Sequence, residues 1–411
     1  MRHRYRILVI GGGICMLQAK SNKGDLITLA SLPMSEIEIH REQSQFYCPT
    51  CQEPVIIKAG TRVIPHFAHR SKVNCPSYEG GEGAYHEKGK LLLYQWLKSQ
   101  GLNVALEVYL TEIKQQPDIL LVINKKQIAI EFQCARIGIV DVQQRNEGYR
   151  KAGITPIWIL GANRFKRQGS NSLKVDQFTQ QFMHQFSTIH PLKLIYFCPD
   201  TLQLTLFQDI YLTRIGQALG KILFSKLTDL KFIDLFRQDS YSRRELFELW
   251  KREKKRFRLQ YRKHLFGKEH AWHQWLYLKQ THLEYLPSII NLPVSHQFKM
   301  KSPLWDWQSR IVLNILDPLP IGSQFTLKRC EHELRGHLHY PNYFPLVRST
   351  ENPINQYLQL LEELKYIKQV TLTNYIKTSS IKHYEHIELS LEQDEQTLNK
   401  LILINTNKIQ A

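Results

Sequence analysis

The spacing of apolar residues along this chain changes from segment to segment, and the changes mark out its elements. Between residues 84 and 100, Leu91, Leu92, Tyr94 and Leu97 fall at helical spacing, and Gly101 ends the run. Val104, Leu106, Val108 and Leu110 then alternate, the period of a strand with one buried face. Residues 117–123 and 128–133 are rich in Ile, Leu and Val and flank the polar stretch 124–127, which predicts a β-hairpin. A polar segment of helical character, 140–151, and an apolar strand-like run, 155–160, follow. The predicted order is α-β-β-β-α-β.

Upstream, residues 17–19 and 26–30 flank the polar, Gly-containing segment 20–25, which predicts an opening hairpin. A Cys/His-rich segment, 46–77, leads into a Gly-rich connector at 79–83. Beyond residue 165 long, basic, aromatic-rich segments read mostly as helix, among them 243–261 and 272–286. Near the end, 307–316, 325–334 and 354–367 read as helices and 369–375 as a strand, a winged-helix-like arrangement. There is no internal repeat.

Composition narrows the class. With 411 residues, 43% of them hydrophobic, the chain is globular and long enough for two or three domains. Lys and Arg number 55 against 37 Asp and Glu, a net charge of +18 that favours a polyanionic partner. Nucleic acid is the commonest such partner, and an anionic membrane surface also fits. The seven cysteines are an odd count, with Cys15, Cys134, Cys198 and Cys330 widely scattered, which excludes a dense disulfide scaffold and points to a reducing cytoplasm. No run approaches the roughly 20 apolar residues of an integral membrane span. Arg2, Arg4 and Arg6 before the apolar residues 7–10 imitate a signal peptide, but Ile14 is too large for a lipoprotein cleavage site before Cys15. Residues 1–15 are therefore expected to be an upstream extension, with the native start at Met16.

Two residue clusters carry chemistry. Cys48 and Cys51 sit on one tight turn, and His66, His69 and Cys75 follow a hairpin-like segment, 55–64. Zinc prefers such mixed nitrogen and sulfur tetrahedra, and Cys48, Cys51, His69 and Cys75 are the expected structural Zn²⁺ ligands, with His66 the rival third. A metal-free reading, with redox-active or incidental thiols and packing histidines, uses the same residues. The second cluster is Asp118 and Glu131 on the predicted hairpin. If Ile123 pairs with Ile128, Asp118 lies opposite Gln133 and Glu131 joins them diagonally on the same face. A slip of one residue would separate the carboxylates. Such a pair suits a divalent metal and metal-dependent DNA cleavage; its bland counterpart is charge at a strand edge.

Taken in order, Cys48-x-x-Cys51, the run His66-Phe67-Ala68-His69, His86 with Gly89 and Lys90, Pro117-Asp118, Glu131-x-Gln133, Glu147-Gly148-Tyr149-Arg150 and residues 158–160 carry a resemblance. In that order they resemble the competence protein CoiA family, strongly over 16–160. The resemblance implies an α/β (α+β) protein with a restriction-endonuclease-like PD-(D/E)xK core, an N-terminal zinc-binding module and a mostly helical C-terminal region. It also implies a cytoplasmic role in genetic competence, supporting recombination of DNA taken up during natural transformation, including single-stranded transforming DNA, alongside recombination proteins.

Carried onto these residues, the resemblance makes Asp118 and Glu131 the ligands of Mg²⁺ or Mn²⁺. Gln133 stands at the usual lysine position, where it orients water or phosphate by hydrogen bonding. His86 and Lys90, four apart on one helix face, would relay a proton and contact phosphate, and Arg145 and Tyr149 would position the DNA backbone. Tyr85 replaces the glutamate common before this histidine, with Glu82 or Glu87 as substitutes. The implied division is 16–78 for the β and zinc module, 79–165 for the nuclease-like domain, 166–300 for a basic helical region and 301–411 for the C-terminal module.

A basic stretch beyond the core holds Lys251, Arg252, Lys254, Lys255, Arg256, Arg258, Arg262, Lys263 and Lys268 against the single acid Glu253. Interleaved with Phe257, Tyr261 and Phe266, it suits phosphates and stacked bases, or simply a solvated helix face. Cys330, His332, His337 and His339 lack an established metal spacing, and Trp305 and Trp307 read as packing anchors. The leading expectation is a divalent-metal-dependent DNA nuclease. The alternative is a non-catalytic DNA-binding recombination accessory on a degenerate nuclease fold, which Gln133 and Tyr85 favour. A transcriptional regulator using the C-terminal module is the third.

Overall fold

The computed structural model describes residues 15–60, 63–70, 75, 83–259, 267–340 and 343–404. The expected extension up to Ile14 lies outside them, as do Glu82, Tyr261, Arg262, Lys263 and Phe266. Two units are distinct: Met1–Phe165 with Leu194–Leu206 and Leu223–Arg237, and Lys166–Lys193 with Phe207–Ile222 and Gln238–Ala411.

The first unit opens on β1 (Cys15–Met16), β2 (Gln18–Ser21), β3 (Leu26–Thr28), α1 (Met34–Gln43), β4 (Phe46–Tyr47), β5 (Pro54–Gly60) and β6 (Val63–His69). Their sheet order is β1-β6-β5-β4-β2-β3, with the expected hairpin formed by β2 and β3. Ala19, Leu29, Ile37, Phe46 and Phe67 close one small core under it.

The α-β-β-β-α-β order is then observed: α2 (Ala84–Ser99), β7 (Asn103–Leu106), β8 (Ile119–Ile123), β9 (Lys126–Gln133), α3 (Ile139–Lys151) and β10 (Thr155–Gly161). Strands β7, β8 and β9 are antiparallel, and β10 lies parallel to β9. The hairpin register differs from expectation. Ile123 pairs with Lys126 and Ile119 with Ile130, because the turn uses only two residues, Asn124 and Lys125, at φ 48° and 65°. Both central residues at positive φ are the mark of a tight turn that matches strand twist. The shift is two residues, so side-chain parity survives, and Asp118 falls at the position facing Glu131.

The expectation of mostly helix past residue 165 is corrected by the structure. β11 (Ser172–Lys174) comes first, with a single turn of helix, α4 (Gln177–Gln180), after it. Next are β12 (Lys193–Cys198), β13 (Gln203–Arg214) and β14 (Gln217–Lys226), in the sheet order β11-β14-β13-β12-β10. All of β12 but Cys198 is buried, and 194–197 is one apolar run. A strand covered on both faces shows a continuous apolar run, which periodicity alone does not separate from a buried helix.

In the second unit, α5 (Arg243–Leu259) and α6 (Gly267–Leu278) precede α7 (Leu304–Arg310), which continues as a π-helical turn, Ile311–Leu316. β15 (Gln324–Thr326), α8 (Leu327–Glu333), α9 (Pro353–Glu363), β16 (Ile367–Gln369), β17 (Asn374–Lys377) and α10 (Ile387–Leu403) complete it, with β15-β17-β16 a small antiparallel sheet. Trp305 and Trp307 are buried in its core, Trp305 at 4.2 Å between ring centres from Trp272.

Two expected DNA contacts on α5 are corrected here. Lys254 and Arg258 point inward, and both pair with Asp394 of α10, at 3.1 Å and 2.6 Å. Lys254 also donates to the carbonyls of Ser288 and Ile290, and Arg258 to those of Leu283, Glu284 and Leu286. A helix with a basic sequence still has one face against the core, and long cations enter it where a carboxylate meets them. Lys255 and Arg256 remain exposed, Arg256 paired with Glu253 at 2.6 Å. Asp394→Ala, which leaves two buried cations without their carboxylate, is expected to lower stability by about 3–5 kcal/mol. Urea unfolding measures it, and an unchanged midpoint would remove the structural role.

Candidate functional site

A missing side chain lets the first helix of the site sit close. At Gly89 of α2 any Cβ would overlap the ring of Phe132 on β9, so glycine allows the helix to rest on that ring. His86 and Lys90, on either side of Gly89, are thereby brought against Asp118 at the entry to β8. One Asp118 oxygen accepts the Phe132 N–H at 2.8 Å, and the other lies 3.4 Å from His86 Nε2 and 4.0 Å from Lys90 Nζ. Burial alone would raise the Asp118 pKa. His86, Lys90 and the Phe132 N–H outweigh it and hold the carboxyl well below the usual carboxylate range.

Lys90 is not placed to contact phosphate. It is 2% exposed, and its ammonium sits 2.5 Å from Glu107 and 3.2 Å from Glu87. Glu107 also accepts the Leu17 N–H at 3.0 Å, while its own backbone N–H donates to the Asp118 carbonyl at 3.1 Å. Sequence reading missed Glu107, which looks like an ordinary polar position of the predicted strand, whereas β7 ends at Leu106 and the chain bends at Glu107, φ 50°. Its partner arrives from a helix that nothing in the local pattern names. Glu87, considered only as a substitute for a glutamate at position 85, proves to be a second partner of Lys90.

Glu131 of β9 is 3% exposed and held by α3. Arg145 donates to it at 2.6 Å, and the Tyr149 hydroxyl makes a short hydrogen bond to the same oxygen. The expectation that Arg145 and Tyr149 position the DNA backbone is corrected: one helical turn apart, they clasp a buried carboxylate. Tyr149 is fully buried, and burial together with the Glu131 charge raises its pKa. Gln133, two residues beyond Glu131 on the same face, donates to the Ala135 carbonyl at 2.9 Å.

These groups line a cavity of about 700 Å³, where His86, Asp118, Glu131, Gln133, Arg145 and Asn163 meet. Its donors are hard: an ionised carboxylate, a second carboxylate and an amide carbonyl. That set fits Mg²⁺ or Mn²⁺, with Lys90 and Arg145 balancing its negative charge.

The second centre is the Cys/His cluster, whose four candidate ligand atoms, from Cys48, Cys51, His69 and Cys75, all lie within 4.8 Å of one another. The Cys48 and Cys75 sulfurs are 3.8 Å apart, and the Cys51 sulfur is 3.7 Å from His69 Nε2. Tetrahedral bonds of about 2.3 Å to sulfur and 2.0 Å to nitrogen require separations of about 3.8 Å between two sulfurs and about 3.5 Å between sulfur and nitrogen. The cluster fits zinc on both counts. Gln52, at φ 62°, closes the turn by donating its N–H to the Cys48 carbonyl, which aims both thiols inward. Burial pushes the Cys48 thiol up to about 12, so a metal must displace its proton. The rival ligand His66 is outside the group, with Nδ1 on the Ile64 carbonyl at 2.8 Å.

Of the other sequence-predicted cluster, Cys330 is buried in the core, His337 bonds Ser302 at 2.8 Å and His339 stacks on Tyr343. No helix among the described residues is long and apolar enough to cross a membrane.

Three family models match the chain, described as the N-terminal domain (residues 29–78), the nuclease-like domain (82–240) and the C-terminal domain (247–391) of competence protein CoiA. The nuclease-like match therefore runs past residue 165 and takes in β12, β13 and β14. A protein of Bacillus subtilis (strain 168) named Competence protein CoiA is 28% identical over 370 residues, covering 86% of this chain and 95% of that protein. No solved structure gives a significant match.

Metal analysis tests the Cys/His centre. Wild-type protein is expected to carry one zinc per chain and Cys51→Ser to lose most of it. Equal zinc in both would remove the assignment.

Proposed function

The chain belongs to the competence protein CoiA family, and on that premise we propose that it is a divalent-metal-dependent DNA nuclease with a PD-(D/E)xK core, acting on DNA taken up in natural transformation. The observation that carries the proposal is the placement of Asp118, Glu131 and Gln133 together on an open cavity in the domain matched as nuclease-like. The unit's α-β-β-β-α-β order supports the same reading. The cytoplasm, where competence DNA meets recombination proteins, is the compartment this role requires.

When bound at Asp118 and Glu131, Mg²⁺ or Mn²⁺ would supply Lewis-acid charge to the scissile phosphate and activate the attacking water. The chain's own residues do the rest. His86, together with Lys90 held by Glu107 and Glu87, keeps Asp118 ionised. His86, within 3.4 Å of Asp118 and lining the cavity, is the group placed to relay a proton. Gln133 is neither cation nor base at neutral pH, so it orients water or phosphate through its amide. Arg145 and Tyr149 fix the rotamer of Glu131, and Arg145 adds a positive charge at the cavity wall. The exposed Arg252, Lys255 and Arg256 of α5 supply phosphate contacts in the second unit.

A second reading keeps the fold and drops the turnover: a DNA clamp serving recombination. The pairing of Glu131 with Arg145 favours it, because an internal cation already satisfies one of the two carboxylates. The use of α9 as a regulator's DNA-reading helix is disfavoured. Ile354, Tyr357, Leu358 and Leu361 are buried, and the helix carries no cation, ending instead in Glu362 and Glu363.

Incubation of the purified protein with single- and double-stranded DNA, in Mg²⁺, Mn²⁺ or EDTA, separates the readings. Cleavage is expected only with metal, and Asp118→Ala should slow it at least about a hundredfold, a loss of about 2.7 kcal/mol or more. Binding without a metal-dependent product would favour the clamp.

A further inference from the structure

A second cationic surface lies wholly in the second unit, away in sequence from the carboxylate pair. Gly336, at φ +93°, turns the chain back after α8, a conformation that costs glycine little. Residues 337–339 then pair antiparallel with 299–301. Met300 opposes Leu338, the Lys301 N–H donates to the His337 carbonyl at 2.6 Å, and the His339 N–H donates to the Lys299 carbonyl at 2.8 Å. Side chains alternate across such a ladder. With Met300 in the core, Lys301, His337 and His339 take the opposite face.

Tyr340 follows at the end of the ladder, 79% exposed, with the Lys301 ammonium 5.2 Å from its ring centre. His339 stacks on Tyr343 at 4.2 Å between centroids. Burial, helped by the charges of Lys301 and Lys268, holds His339 down to about 4, so its ring is neutral at physiological pH. Lys268 belongs to the first turn of α6 and is exposed, as are Lys301 and Arg335. Among the described residues none of these three cations has a carboxylate partner.

Exposed cations without counter-ions attract phosphate. An exposed tyrosine ring beside them adds something a duplex does not use, since its bases are already stacked on each other. An unpaired base gains a stacking surface there. We propose that this face binds single-stranded nucleic acid, with Tyr340 stacking on a base and Lys268 and Lys301 meeting the backbone phosphates. The site goes beyond the nuclease proposal, and its existence does not require the carboxylate pair to turn over.

Fluorescence anisotropy of the full chain in EDTA tests it, with a labelled oligothymidylate, a duplex of equal length, and phosphatidylserine vesicles as the rival anionic surface. Tyr340→Leu should weaken single-strand binding about tenfold, as loss of one stacking ring does, and leave duplex affinity unchanged. Tyr340→Trp should restore it, and Lys268→Glu with Lys301→Glu should weaken it further. An unchanged melting temperature of each variant excludes misfolding. The proposal fails if wild type does not bind the single strand, if Tyr340→Leu binds it as tightly as wild type, or if single-strand and duplex affinities fall equally. Loss of vesicle binding alone would assign the face to membranes and overturn it. Absence of cleavage in the metal assay would leave these outcomes untouched.

Discussion

The two-residue turn at Asn124 and Lys125 sets the register on which the candidate site depends. It makes Ile119 the partner of Ile130 and so puts Asp118 and Glu131 on one face, at facing positions. A one-residue slip would send one carboxylate to the opposite face of the sheet and dissolve the pair. β9 is held on its other edge as well, where six consecutive residues pair in parallel with β10. The hairpin is therefore pinned from both sides, and the carboxylates inherit a rigid base.

Rigidity brings a cost, because two carboxylates in a largely buried face repel each other and lose hydration. The chain answers each in a different way. Asp118 receives a backbone N–H and the charges of His86 and Lys90 from α2; Glu131 receives Arg145 and Tyr149 from α3. The Lys90 ammonium would itself be costly at 2% exposure, and Glu107 and Glu87 offset it. Glu107 in turn accepts the Leu17 N–H, so the chain entering the sheet that carries the Cys/His cluster is hydrogen-bonded to the same charge network. Removing any member leaves a buried charge or acceptor unmatched.

Much of this was legible in the sequence, for identifiable reasons. The α-β-β-β-α-β order could be read because α2, the hairpin and β10 carry distinct periods, and the zinc cluster because Cys48 and Cys51 have ligand spacing. The exact register was out of reach, since Asn-Lys does not announce a two-residue turn as Asn-Gly does. Side-chain direction was the other limit. Lys90, Tyr149, Lys254 and Arg258 were read as surface groups from their type and spacing, whereas the fold turns each inward to a carboxylate. β12 escaped notice because a strand covered on both faces loses its alternation, and β13 because its buried positions include the polar Thr205, Gln208, Asp209 and Thr213.

The proposed nuclease depends on Asp118 and Glu131 jointly holding a divalent metal. Titration of Mn²⁺ into zinc-loaded protein, followed by electron paramagnetic resonance, addresses it without requiring turnover. One bound Mn²⁺ per chain, lost in Glu131→Gln while zinc and fold are retained, is the expected result. Mn²⁺ binding of equal affinity in wild type and Glu131→Gln would contradict it.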